Sequence, residues 1–194
     1  MGFQLGLFSP NTESGLAITT APERWHATWD DNLRLARIAD EVGIDFLLPV
    51  ARWTDWGPDT DFHRSALDPL VWASGLLAQT TRLRVFTTVH TAFHHPVVAA
   101  KQLATADHLS KGRVGLNIVA GWHAPEYEMF GLSLPGDHDT RYALAQSWAG
   151  PSRTTGRAFP SSTPGRPSRD ARSPRATPTG RSPSSAGRRT GPTS

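Results

Sequence analysis

Apolar positions fall into two alternating patterns along the chain. Short continuous runs begin near residues 3, 45, 83 and 114, and a stretch with helical spacing follows each. "FQLGLFS", Phe3 to Ser9, is bounded by Pro10 and Asn11 and reads as a strand. Leu35, Ile38, Ala39 and Val42 recur at i, i+3, i+4 and i+7, which predicts a helix over roughly Pro22 to Val42, stopped by Gly43. "DFLLPV", Asp45 to Val50, is a second strand, and a long loop separates it from the next helix. That helix starts at Asp68-Pro69, an N-cap acid followed by the residue suited to the first helical position. "RLRVFTTV" is a third strand. Pro96 opens a helix to about Ser110, closed by Gly112; "RVGLNIVAGW" is the fourth strand, and Asp139 begins the helix "DTRYALAQSW".

Continuous apolar strands alternating with helices predict parallel strands joined by crossover helices. A doubly wound α/β sheet and part of a (β/α)8 barrel both satisfy the pattern. It stops after Trp148. Residues 151–194 hold 8 Pro, 5 Gly and 9 Arg, and no Val, Ile, Leu, Met, Trp or Tyr. Such a segment buries too little apolar surface to offset its ordering entropy, so a disordered tail is expected after a domain over residues 1–150. Arg, Pro, Gly, Ala, Ser and Thr dominate out-of-frame translation of a GC-rich gene, and the tail is read as such a product.

Charge sharpens this division. Residues 1–150 contain 11 Lys/Arg against 16 Asp/Glu, whereas residues 151–194 contain 9 Arg against one Asp. The basic character therefore belongs to the tail, which has no Lys and a single aromatic, Phe159, for stacking on bases. Nucleic-acid binding is not expected. Cysteine is absent, which excludes disulfides, thiolate metal sites and a Cys nucleophile. No apolar run approaches the ~18 residues of a membrane span, and the N-terminus lacks the basic n-region of a signal peptide. A cytoplasmic protein without membrane contact is expected.

In parallel α/β folds, ligands bind beyond the C-terminal ends of the strands. Here those ends carry "PVARW", "TTVHTAFHH" and "NIVAGWHAPEYE", and so bring Arg52, His90, His94, His95, His123, Glu126 and Glu128 to one side of the sheet. Asn is depleted in strands, and a buried amide left unpaired costs on the order of 1–3 kcal/mol. Asn117 therefore either ties a neighbouring loop or faces a ligand. Its donor and acceptor suit the edge of a planar heterocycle better than a metal. The histidines with Glu126 form a metal-site alternative, but no recognised zinc spacing appears. Glu126 and Glu128 are placed in a surface loop, where a solvated role is the ordinary one. There is no G-x-S-x-G, G-x-G-x-x-G or P-loop. The residues by themselves lead to a barrel-like α/β enzyme that binds a planar polar ligand.

"HPVVAAKQLATADHLSKGRVGLNIVAGWHAPEYEMFG" resembles the bacterial luciferase-like, reduced-flavin-dependent monooxygenases. Within them it is similar to the group of pyrimidine oxygenases and of dimethyl-sulfone and alkanesulfonate monooxygenases. The resemblance covers about residues 3 to 148, and "A-x-x-D-x-L-S-x-G-R" followed by "N-x-V-x-G-W" is its hallmark. It implies a TIM (β/α)8 barrel of the luciferase-like type, truncated to about its first four βα units, since a full barrel needs about 250 residues. It also implies FMN contacts from Ala51 and Arg52 after the second strand, from Asn117, from Glu126 of "P-E-Y-E", and from Arg141 and Tyr142. The implied chemistry uses reduced FMN from a separate NAD(P)H-dependent flavin reductase. The flavin reacts with molecular oxygen to give a peroxyflavin, which inserts one oxygen atom into a small organic substrate. His90 and His94 are candidates for a proton donor or substrate contact, and a complete barrel would be a homo-oligomer. The other readings are a deazaflavin (F420)-dependent oxidoreductase on the same barrel, and a non-catalytic half-barrel that assembles with another chain.

Overall fold

The structure is a computed structural model that describes residues 2–55, 60 and 62–150; the expected disordered tail lies outside the described residues. Among the described residues nine elements follow one another: β1 (Gly6–Phe8), α1 (Trp29–Val42), β2 (Phe46–Leu48), α2 (Pro69–Gln79), β3 (Arg84–His90), α3 (Pro96–Ser110), β4 (Val114–Val119), α4 (Ala124–Met129) and α5 (His138–Trp148). The strands form one parallel four-stranded sheet in the order β1-β2-β3-β4. A doubly wound sheet reverses its strand order at a switch point. No such reversal occurs among the described strands.

Local chemistry explains most element boundaries. Asp68 accepts hydrogen bonds from the Leu70 and Val71 amides at 3.0 and 2.8 Å, and Pro69 occupies the first helical position of α2. The His95 ring caps α3 in the same way, through the Val97 amide at 3.3 Å. Gly43 ends α1 with φ 85°, a left-handed conformation that costs a glycine nothing. Helix α1 begins at Trp29, later than the Pro22 expected, because Thr28 is its cap: the Thr28 hydroxyl accepts from the Asp31 amide at 3.1 Å.

The buried face of α1 also differs from the expected stripe. Asn32, Ala36 and Ala39 are buried, whereas Ile38 and Val42 are 51% and 70% exposed. Small residues win this face because the bulky Trp72 of α2 packs there. The Trp72 indole N–H donates to Asn32 Oδ1 at 2.9 Å, so the buried amide is satisfied. Around this contact Leu47 of β2, Leu76 and Leu77 of α2, and Leu83 and Val85 at β3 form the core. The core thus fills the space between the outer face of the sheet and helices α1 and α2.

Arg113, the last residue of the S-x-G-R motif, is a structural clamp. Its guanidinium donates to the carbonyls of Leu77, Thr80, Leu83 and Ser110 at 2.7 to 3.0 Å and to the Thr80 hydroxyl at 3.1 Å. It ties the C-terminal ends of α2 and α3 to the start of β4, satisfying carbonyls that a helix end leaves without partners.

The opposite, inner face of the sheet is built on a size alternation. Phe46 and Phe86 meet edge to face at 5.4 Å, and a glycine stands beside each ring on the outer strands. A Cβ on Gly6 would lie 2.2 Å from the Phe46 ring, and one on Gly115 would lie 2.6 Å from Phe86. Strand β4 is half-buried, not buried as its apolar run predicts, because it forms an edge of the sheet.

Candidate functional site

Side chains two residues apart share a face of a strand. Thr88 and His90 of β3 therefore line the inner face above Phe86, and Asn117 and Val119 of β4 line it above Gly115. Asn117 lies opposite Thr88 in the β3–β4 register. The Asn117 amide donates to the Thr88 hydroxyl at 3.2 Å, and that hydroxyl donates to the Pro49 carbonyl at 2.6 Å. This polar relay crosses three strands at their C-terminal ends. It answers only part of the hydrogen-bonding capacity of Asn117, whose Oδ1 takes no bond from the described residues.

The loop after β2 is held from two sides. Asn11, fully buried, donates to the carbonyls of Val50 and Leu67 at 2.8 and 3.0 Å and accepts from the Val50 amide at 2.9 Å. Beyond it, Arg52 Nη1 lies 3.4 Å from Glu126 Oε1, with side chains only 9% and 3% exposed. The same carboxylate oxygen accepts from the Trp53 amide at 2.8 Å. The Arg52 guanidinium also lies over the Trp122 ring, 5.4 Å from its centroid. Glu126 is therefore a buried structural anion in the short helix α4, not the solvated loop residue expected, whereas Glu128 is exposed. Helix α4 escaped the sequence reading because six residues show no apolar periodicity.

His90 ends β3, almost fully buried. Its ring stacks on Phe93 at 3.8 Å and meets Tyr127 edge-on at 5.4 Å. Nδ1 accepts from the Ala92 amide at 3.3 Å, which leaves the proton of the neutral ring on Nε2. Nε2 is buried without a hydrogen-bond partner among the described residues. Burial, helped by the neighbouring His94 and the Arg52 guanidinium, pushes the imidazole down to about 4. Gly121, at φ 80°, covers Nε2: a Cβ there would lie 1.9 Å from it. His94 turns away, with Nδ1 at 3.1 Å from the His90 carbonyl.

Ala51, Arg52, Thr88, His90, Asn117, Gly121 and Glu126 thus surround one cavity of about 140 Å³. Arg141 and Tyr142 lie elsewhere, on α5, in a second cavity of about 540 Å³ beside the edge of β4. The two cavities share Val119, Gly121 and Trp122. Arg141 donates to the Pro135 carbonyl at 2.9 Å, and Tyr142 is 58% exposed and stacks on His138. Thr88 and Tyr127 were missed from the sequence. Thr88 reads as an ordinary strand residue, and Tyr127, whose hydroxyl donates to the Ala120 carbonyl at 2.9 Å, lies in the unrecognised helix. Among the described residues, no cluster of His, Asp and Glu has the geometry to hold a metal ion.

This arrangement has known counterparts. The family model described as luciferase-like monooxygenase matches residues 3–150. A pyrimidine monooxygenase RutA from Pseudomonas savastanoi pv. phaseolicola is 34% identical over 147 residues, 75% of this chain and 41% of that protein. The chain therefore spans about two-fifths of the length of the curated relatives it matches. Among solved structures, riboflavin lyase RcaE, crystallised with modified FMN and its substrate riboflavin, aligns with a TM-score of 0.66 at 30% identity, over 77% of this chain and 36% of its own. The EDTA monooxygenase EmoA from Chelativorans sp. BNC1 shares the fold, with a TM-score of 0.64 at 23% identity over 75% of this chain and 36% of its own. The sequential parallel sheet, the site at its C-terminal edge and a match over residues 3–150 lead to one assignment: the chain belongs to the luciferase-like monooxygenase family.

Proposed function

We propose that this chain carries the first four βα units of a (β/α)8 barrel and the flavin-contacting part of an FMN-dependent monooxygenase. One observation supports this above the others: the Asn117–Thr88–Pro49 relay and the buried Arg52–Glu126 pair flank the same cavity at the strands' C-terminal ends. The donor set fits a flavin edge. Asn117 keeps an acceptor and a second donor hydrogen for a ligand, His90 Nε2 is a buried donor with no partner among the described residues, and Gly121, which also lines the cavity, has no Cβ beside that nitrogen. Hard cations find no cluster of carboxylates here.

Asn117, Ala51, Arg52 and Glu126 would hold the ring system of FMN, and Arg141 and Tyr142 would face its remaining, anionic part. FMN, when reduced, supplies the electrons that activate molecular oxygen for transfer to a small organic substrate. The protein's own part is positioning. Glu126 fixes Arg52 and the Trp53 amide, so the loop after β2 keeps one geometry against α4. Trp53, Phe93 and Phe130 pack edge-to-face and stacked at 4.2 to 6.4 Å and brace the same loop against α4. Neutral His90 supplies a fixed N–H at Nε2. The same reading assigns a separate NAD(P)H-dependent flavin reductase as the source of reduced FMN, with the cytoplasm as the compartment.

The test is a fluorescence titration of FMN, oxidised in air and reduced under anaerobic conditions, with the 194-residue chain and its Asn117→Ala variant. Saturable binding weakened roughly 5- to 10-fold by the substitution, about the worth of one hydrogen bond, supports the reading. Equal affinity of parent and variant removes Asn117 from the site, and no saturable binding by the parent removes the flavin. Tighter binding of F420 than of FMN would assign the deazaflavin chemistry instead.

A further inference from the structure

In the first three βα units each crossover delivers a strand that pairs with the one before it, giving the order β1-β2-β3-β4. Among the described residues no strand pairs with β4 on its other side. Arg113 and Val119 carbonyls accept from Val85 and Thr91 of the β3 side, so alternate residues of β4 face β3. The backbone groups of Leu116 and Ile118 between them point to the open edge. Helix α5 stands off that edge and encloses the cavity of about 540 Å³, walled by Ile118, Ala120 and Trp122 on one side and Tyr142, Ala145 and Ala149 on the other. A slot bounded by an open parallel edge and a helix is the place of a further strand.

The other edge of the sheet is β1, open in the complementary sense. Leu5 and Ser9 bond to the β2 side, which leaves the backbone groups of Gly6 and Phe8 outward. Apolar side chains in β1 and just before it are exposed: Phe3 93%, Leu5 53% and Phe8 50%. The inner face is complementary as well. Beside β4, Gly115 leaves the room that Phe86 fills, and beside β1, Gly6 leaves the room that Phe46 fills.

We propose that the slot between the open edge of β4 and α5 receives β1 of a second copy of this chain. By two-fold symmetry the second copy receives β1 of the first, and both open edges are satisfied at once. The result is a closed ring of eight parallel strands, the number at which such barrels fill their interior with side chains. Closure also completes the candidate site. Its cavity of about 140 Å³ falls short of the ~300–1,000 Å³ usual for an organic ligand, and the walls it shares with the slot, Val119, Gly121 and Trp122, lie at the joint. The inference does not depend on flavin binding.

The experiment uses the full chain. Light scattering during size exclusion should give twice the mass of one chain. The chain has no cysteine, so Leu5→Cys and Ile118→Cys variants each carry a single thiol. Mixed and treated with a flexible bismaleimide, they should give a cross-linked dimer, and each variant alone should not, because the two-fold axis puts equal positions on opposite sides of the ring. Ile118→Pro removes an N–H from the open edge only and should yield a folded monomer by circular dichroism. A folded parent that stays monomeric at tens of micromolar overturns the proposal, whatever other chain fills the slot. So does cross-linking within each single variant at the same yield as in the mixture.

Discussion

The carboxylate of Glu126 and the guanidinium of Arg52 meet at 3.4 Å across 74 residues of sequence, and both side chains are buried. The contact joins the loop after β2 to helix α4. Removing one partner from a buried ion pair leaves a desolvated charge, which costs on the order of 3 kcal/mol. Glu126→Leu also orphans the Trp53 amide. Urea unfolding should show this loss for Glu126→Leu, while Arg52→Met/Glu126→Leu together should recover at least 1 kcal/mol relative to the summed losses of Arg52→Met and Glu126→Leu measured singly. Strictly additive losses would show that the pair does not couple the two elements.

Arg113→Lys keeps the charge and loses the fork. Lysine has one compact ammonium and cannot reach carbonyls at the ends of α2 and α3 and between α2 and β3 together. The expected loss is about 2–3 kcal/mol, from several carbonyls that give up charge-assisted bonds. Thermal unfolding checks it. A midpoint unchanged from the parent would mean that water replaces the clamp at no cost.

His90 makes stability depend on pH. Its folded value is about 4 against about 6.5 in the unfolded chain, so the unfolded state binds the extra proton between those values. Stability is therefore complete above about pH 6.5 and falls as pH drops towards 4, by on the order of 3 kcal/mol. His90→Gln should flatten that part of the profile. The measurement is urea unfolding at pH 7, 5.5 and 4.5, with the His90 ring proton followed by NMR. An imidazole that titrates near 6.5 in the folded protein contradicts the prediction.

Gly121→Ala places a methyl group where His90 Nε2 now sits, at a backbone φ of 80°. Both strain and collision act, and the expected loss is on the order of 2–3 kcal/mol. The double variant Gly121→Ala/His90→Ala removes the closest collision, leaves the Tyr127 hydroxyl at 2.9 Å and the strain, and should recover part of the loss. Thermal unfolding of both variants decides it: no recovery would assign the whole cost to the backbone and the Tyr127 contact.

The alternation of apolar strands with helical stretches determined the α/β class, the four strands and the parallel sheet, because burial on both faces demands continuous apolar runs. Asp68-Pro69, Pro96 and Gly43 marked their boundaries directly, since caps and fixed φ values act within one turn. The family resemblance was equally local, carried by the S-x-G-R and N-x-V-x-G-W motifs. Those motifs did not reveal what Arg113 does, for its partners lie 30 to 36 residues away, at the end of α2 and between α2 and β3, as well as beside it.

Only the tertiary structure decided the site. Residues 52 and 126 became a buried pair, and Thr88 became the link between Asn117 and Pro49, because strand register sets which side chains face each other across the sheet. The placement of α5 beside the edge of β4 put Arg141 and Tyr142 in a separate cavity. Burial likewise turned Glu126 from an ordinary acid into an anchor and His90 into a neutral donor, since the cost of charge depends on surroundings that no stretch of sequence contains. Local chemistry is written along the chain, whereas desolvation and pairing across strands arise only when distant residues are brought together.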